Sequence, residues 1–195
     1  MNKKLVVALS GGAALVMALT GCTDDNGDKK VNAWAETVCD ELQRQDKEIR
    51  EATASIRSSA QEEDAKKLQK TDSAAFQQLS DAYGALAKSM KAAGAPPVDD
   101  GEKTQTEVVK TLTTMSTKYG DLKTTVDKLD TGDKGKVAEG LQGIADELDK
   151  LSKSGASALK KLDQGKTGKA MAKQPGCQRQ KSSSASASAS ASAER

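Results

Sequence analysis

Residues 107–130, EVVKTLTTMSTKYGDLKTTVDKLD, decide the fold. Their apolar and aromatic side chains fall at Val108, Leu112, Met115, Tyr119, Leu122, Val126 and Leu129, in alternating steps of four and three. That spacing returns to one face of an α-helix at every turn, whereas a half-buried strand would alternate at every second residue. A seam repeating every seven residues has to be buried against other helices, so the stretch predicts one long member of a helical bundle.

The same pattern extends in both directions. Asp130-Thr131-Gly132-Asp133 reads as a tight turn, after which Val137, Leu141, Ile144, Leu148, Leu151, Gly155, Ala158 and Leu162 repeat the stripe. Upstream, Gly94 and the Pro96-Pro97 pair stop one helix, and Asp99 and Asp100 supply the N-terminus of the next. Further back, Phe76, Leu79, Tyr83, Leu86, Met90 and Ala93 form one register, while Ala65 and Leu68 fit another. Asp72 lies between the two registers, so a cap or kink is expected at Thr71, Asp72 or Ser73; the alternative is an Asp72 that lines a polar site. The first stripe runs Val31, Ala35, Val38, Leu42, Gln45, Ile49, Ala52 and Ile56, with Trp34 placed to cover the bundle's end near Cys39. Ser59 followed by Glu62 forms a capping-box pair, which predicts that the second helix begins there. Residues 165–173 read as a short, weakly helical piece that brings Cys177 back to the body, with Pro175 and Gly176 forming the turn before it. The expected fold is therefore all-α: an antiparallel four-helix bundle over residues 31–177 with short connections.

The flanks carry the signs of a compartment. Lys3 and Lys4 precede an apolar run from Leu5 to Leu19, broken only by Ser10, Gly11 and Gly12. It is too short for the roughly 20 apolar residues of a membrane-spanning helix, and reads as a signal segment over 1–21. An ordinary secretory signal would end in an Ala-x-Ala-like site; Leu19-Thr20-Gly21-Cys22 instead has the form of a lipobox, with cleavage before Cys22 and lipid on its thiol. Several acyl chains on that cysteine would make a stable anchor. Residues 22–30 are then a polar tether. From Gln178 onward the chain passes into a Ser-Ala alternation that buries too little to order a strand, and the tail is expected to be disordered; its small residues offer positions for sugars.

Composition removes most chemistry. Loss of residues 1–21 takes Lys3 and Lys4 with it and leaves 28 basic residues against 28 acidic ones, so no electrostatic case for nucleic acid exists. The chain has no histidine, which removes imidazole bases, histidine-containing zinc sites and the Ser-His-Asp arrangement. Its aromatic residues are Trp34, Phe76, Tyr83 and Tyr119 alone, too few for a stacking platform. Neighbouring acids such as Asp146 with Glu147, or Asp99 with Asp100, point in different directions from one backbone segment and have a lysine within a turn, unlike the facing carboxylates of glycoside hydrolysis. No phosphate loop, EF-hand spacing or nucleophile elbow is present. No cofactor, metal or catalytic residue is expected, and the protein is read as no enzyme.

Lipidation of Cys22 would leave Cys39 and Cys177 as an even pair in an oxidising space, where a disulfide is expected; a redox-active or metal-binding thiol pair is the alternative. Gln45, Asp72, Tyr83 and Tyr119 are the candidate internal polar groups, with register setting as their default role. Gly140, Gly143 and Gly155 each cost about 1 kcal/mol relative to Ala in a helix, and so either admit a neighbouring helix closely or mark where a ligand touches backbone.

The lipobox, Val38-Cys39-Asp40, the hinge Ala93-Gly94-Ala95-Pro96-Pro97-Val98-Asp99-Asp100-Gly101 and the finish Ala172-Lys173-Gln174-Pro175-Gly176-Cys177 resemble the small secreted lipoproteins of actinobacteria. The resemblance spans nearly all of 31–177 and leaves the Ser/Ala tail outside. It implies a place at the outer face of the cytoplasmic membrane and a pairing of Cys39 with Cys177, and it carries over no active site. Two functions fit these readings. One is a lipid-anchored interaction or spacer module with an unknown envelope protein as partner. The other is a carrier whose core opens for an apolar small molecule, with Tyr83 or Tyr119 as the orienting hydroxyl. Changing Cys22 to Ala should release the protein from the membrane or block its processing; a variant that fractionates fully with membranes in processed form would contradict the lipobox reading.

Overall fold

A computed structural model describes residues 25–178, and they are all-helical. The signal segment, Leu19, Thr20, Gly21, Cys22 and the Ser/Ala tail from residue 179 lie outside the described residues. Four long helices follow one another, α1 (Asp25–Ser59), α2 (Ala65–Ala93), α3 (Gly101–Asp127) and α4 (Lys134–Leu162), then a short α5 (Gly165–Met171), and 175–178 form one last helical turn, so the bend expected at Pro175 and Gly176 comes earlier, at 172–174. The heptad stripes account for their inner faces. Val108, Met115, Tyr119, Leu122 and Val126 of α3 are all buried, as are Leu79, Leu86 and Met90 of α2.

Neighbouring helices run antiparallel, as the cross-links between them show. Glu48 meets Gln78 and Trp34 reaches Gly94 across α1 and α2; Ser80 meets Ser116 across α2 and α3; Lys118 pairs with Glu147 and Lys161 with Glu107 across α3 and α4. The α2–α3 interface is the most extensive. Here the serines bond reciprocally, each hydroxyl donating to the other's carbonyl at 2.8 Å. Gly84 faces Ser116, where a Cβ would meet its Oγ at 3.1 Å, so the helices approach through small residues. Each helix also caps its neighbour's last turn. The Gln69 amide donates to the carbonyls of Val126, Asp127 and Leu129, and that of Gln105 donates to the Met90 carbonyl, satisfying acceptors that a helix end otherwise leaves open.

Several helix ends differ from their sequence-based expectation. α1 begins at Asp25, so residues 25–30, read as tether, are a helical extension, exposed over 26–30. Adding turns to an established helix gains one hydrogen bond per residue without a new nucleus, and Asp28 suits the positive end of its dipole. The Ser59–Glu62 capping box does not form. α1 runs on to Ser59, and Asp64 caps α2 by accepting from the N–H groups of Lys66 and Lys67 at 2.9 and 3.3 Å. No cap interrupts α2 at Asp72: the helix continues through it, and its carboxylate takes the Ser59 hydroxyl instead. Gly94 ends α2 as expected, with φ +74°. Asp100 stands at the start of α3 in a left-handed conformation and makes no side-chain cap.

Cys39 and Cys177 form a disulfide that joins α1 to the chain following α5 across 138 positions. Both cysteines are buried beside Met171, and Trp34 covers this end of the core with its indole N–H donating to the Gly94 carbonyl at 2.9 Å. In the chain-entropy view, closing so long a loop restricts the unfolded chain by roughly 5 kcal/mol. Gly176 packs so closely that a Cβ there would lie 2.5 Å from the Cys39 carbonyl oxygen, while a Cβ on Gly143 of α4 would meet nothing within 4 Å. Gly143→Ala should therefore raise unfolding stability by about 1 kcal/mol through helix propensity, and Gly176→Ala should lower it; denaturant titration under non-reducing conditions measures both, and a Gly176→Ala protein as stable as the parent would contradict the packing described.

Candidate functional site

Buried apolar side chains divide into two clusters. One lies at the disulfide end around Val38, Leu42, Met90 and Leu162, the other towards the α1–α2 turn around Phe76, Leu122, Val126 and Ile144. Ile49 and Tyr83 border both. Between the clusters, α1 and α4 do not pack along their length: α1 lies on α2, and α4 lies on α3. This leaves a cleft of about 480 Å³ with Val38, Leu42 and Ile49 of α1 along one side. Tyr83, Leu86 and Met90 of α2 with Val108, Leu112, Met115 and Tyr119 of α3 form its floor, and Ser152, Gly155, Ala156 and Leu162 of α4 its other side.

The cause is legible residue by residue. On α4 the stripe is filled by Ile144 and Leu151, both buried, and again by buried Leu162, but the first stripe position after Leu151 is Gly155. There the side chain of Met115 approaches the glycine, its Cε 3.0 Å from where a Cβ would stand. Missing side-chain volume at one heptad position, with Ser152 and Ala156 flanking it, keeps α4 from filling the space that α1 leaves open. Among the three glycines marked in α4, Gly155 is the one on this cleft, while Gly140 and Gly143 line a separate, more open groove between α3 and α4. Gly140 lies beneath the Leu129 side chain and Gly143 faces open space.

Tyr83 and Tyr119, the candidate orienting hydroxyls, both line the cleft and are brought together. Their rings stack with centroids 5.3 Å apart, and Tyr119 also stacks on Phe76 at 6.4 Å. Burial, and after it the adjacent Tyr119 hydroxyl, push the Tyr83 phenol far above its ordinary value, so it stays protonated and serves as a donor. Burial raises Tyr119 as well. Gln45 is turned away from the cleft into the groove between α1 and α2, where its amide donates to Glu41 at 2.8 Å.

Two buried carboxylates stand out. Glu41 is 8% exposed on the cleft wall, and nothing in the apolar pattern marked it. It accepts from the Arg44 guanidinium, from Gln45 and from the Ser89 hydroxyl. Burial alone would raise its pKa, but those donors and the Arg44 charge outweigh it and hold the carboxyl below the usual range. Asp72 is 5% exposed and has Ser59 as its partner; burial raises it, with the serine hydrogen bond acting against the rise. Asp72 sits at the α1–α2 turn, away from the cleft-lining residues, so it ties α2 to the end of α1. At the cleft mouth Asp46 is paired with Arg50 at 3.0 Å. Among the described residues no fully buried side-chain nitrogen or oxygen lacks a hydrogen-bond partner.

Comparison with protein-family models, with curated proteins and with solved structures finds no match to this chain. The class defined by fold and site is a disulfide-closed helical bundle with an apolar cleft between its first and fourth helices.

The two carboxylates give opposite pH signatures. Because Glu41 is lowered in the folded state, its contribution is present above about pH 4.5 and is lost as pH falls through its folded value. Asp72 is raised, so its ionisation weakens the fold as pH rises from below about 3.8 through its folded value. Glu41→Gln should cost ~1–3 kcal/mol at neutral pH and much less in acid, while Asp72→Asn should gain on the parent as pH rises. Urea unfolding of both variants from acid to neutral pH tests this; parallel pH profiles for the two would contradict it.

Proposed function

We propose that the protein is a non-catalytic carrier, held at the outer face of the cytoplasmic membrane by lipid on Cys22, whose open antiparallel four-helix bundle binds an apolar small molecule in the cleft. The observation that carries this reading is the gap in the core at Gly155. A spacer or simple interaction module needs only a closed core, and a stripe filled with leucine at that position would give one. Here about 480 Å³ is left open, within the range of small-molecule sites, and its walls are mostly aliphatic. The anchoring half of the proposal rests on Leu19-Thr20-Gly21-Cys22 and on a buried disulfide that suits an oxidising compartment. It also agrees with the finding that, among the described residues, no helix is long and apolar enough to cross a membrane.

An environment-sensitive apolar dye tests the carrier function. Nile red titrated into the secreted Cys22→Ala protein should bind at one site per chain with a blue-shifted emission. Ala156→Trp, a change at an exposed α4 position on the cleft wall, should abolish that signal while leaving helix content intact. No signal with the parent, or an equal signal with the variant, would contradict the proposal.

A further inference from the structure

The shape of the cleft says more about its occupant than its polarity does. On α1 the lining residues run from Val38 to Thr53 and on α3 from Val108 to Tyr119, which at 1.5 Å per residue makes the cleft ~16–22 Å long. Spreading about 480 Å³ over that length leaves a mean cross-section of roughly 20–30 Å². The space is long and narrow, a shape that suits an extended hydrocarbon chain.

The lining chemistry agrees. Along this length the walls are Leu42, Ile49, Leu86, Leu112 and Met115, flexible aliphatic side chains that follow a bent chain, and the two rings present are already stacked on each other. Glu41, held by Arg44, Gln45 and Ser89, and the Tyr83 and Tyr119 hydroxyls are the polar groups within the walls, and the outer edge carries Asp46 with its Arg50 partner and Thr53 on α1, and Ser152 on α4. A head group fits there, beside charges that already balance each other.

Building on the carrier reading above, we propose that the cleft is a site for one long, unbranched hydrocarbon chain of an amphiphile, the chain lying between α1 and α4 along the Leu42–Met115 floor and its head group resting at the Asp46–Ser152 rim.

Fatty alcohols from octanol to hexadecanol, neutral at the head, test this by displacing Nile red from the Cys22→Ala protein, in which no lipid of the chain's own complicates the result. Affinity should rise about fourfold for each added methylene, the worth of burying one, and level off once the chain outgrows the cleft. Native mass spectrometry should show a single alcohol per chain. Gly155→Leu, which pushes Met115 into the cleft, should lower the length at which affinity levels off, and Ala156→Trp should remove binding of the long members altogether. Nile red that binds but is displaced by no alcohol would overturn the chain proposal and leave the carrier reading standing. Binding of neither would overturn both. Affinity that is independent of chain length, or unchanged in both variants, would overturn the chain proposal by showing non-specific adsorption.

Discussion

The close pairing of α2 with α3 sets the geometry of everything else. It rests on small residues: the reciprocal Ser80–Ser116 hydrogen bonds and Gly84 against Ser116 let the two backbones approach, and Gln69 and Gln105 tie each helix to the other's end. With those two helices fixed, α1 has its place on α2 and α4 its place on α3. Whether α1 and α4 then seal against one another depends on the side chains between them. With glycine at 155, and serine and alanine beside it, they do not seal.

The two ends of the domain are secured by different means. At one, the disulfide, the indole of Trp34 and the close seat of Gly176 on the Cys39 carbonyl hold α1 against the chain that follows α5. At the other, Asp72 and Ser59 join α2 to the last turn of α1, and the buried Val126 and Phe76 fill the core. The middle has neither a covalent link nor a full core, and the cleft lies there. Burying a hydrocarbon chain in that space would supply apolar contacts that the protein's own side chains leave unmade.

Much of this was legible in the sequence. The steps of four and three placed α3 and α4, and the Gly94 stop and the Asp130–Asp133 turn fell where they were expected. Gly155 was visible as an odd residue in an apolar stripe, with packing and ligand contact both open. Three features were not legible, each for a physical reason. Asp72 looked like a helix breaker because a charged residue in a register shift usually is one; only the fold brings Ser59, thirteen positions away, to its carboxylate. Glu41 looked like any solvent-facing acid, since its burial depends on how α1 leans on α2 and its partners Arg44 and Gln45 are common residues at common spacings. The small-residue contact at Ser80, Gly84 and Ser116 was hidden because periodicity arguments count large apolar side chains and pass over small ones.

The central claim is that the space between α1 and α4 is an open apolar site in solution. Nuclear Overhauser contacts between methyl-labelled protein and a bound fatty alcohol test it most directly. The account predicts contacts from the methylene protons of the alcohol to the methyl groups of Ile49, Leu86 and Met115, residues on three different helices. Contacts confined to outward-facing α4 residues, together with direct contacts between the Ile49 and Ala156 methyl groups in the ligand-free protein, would show a closed bundle and contradict it.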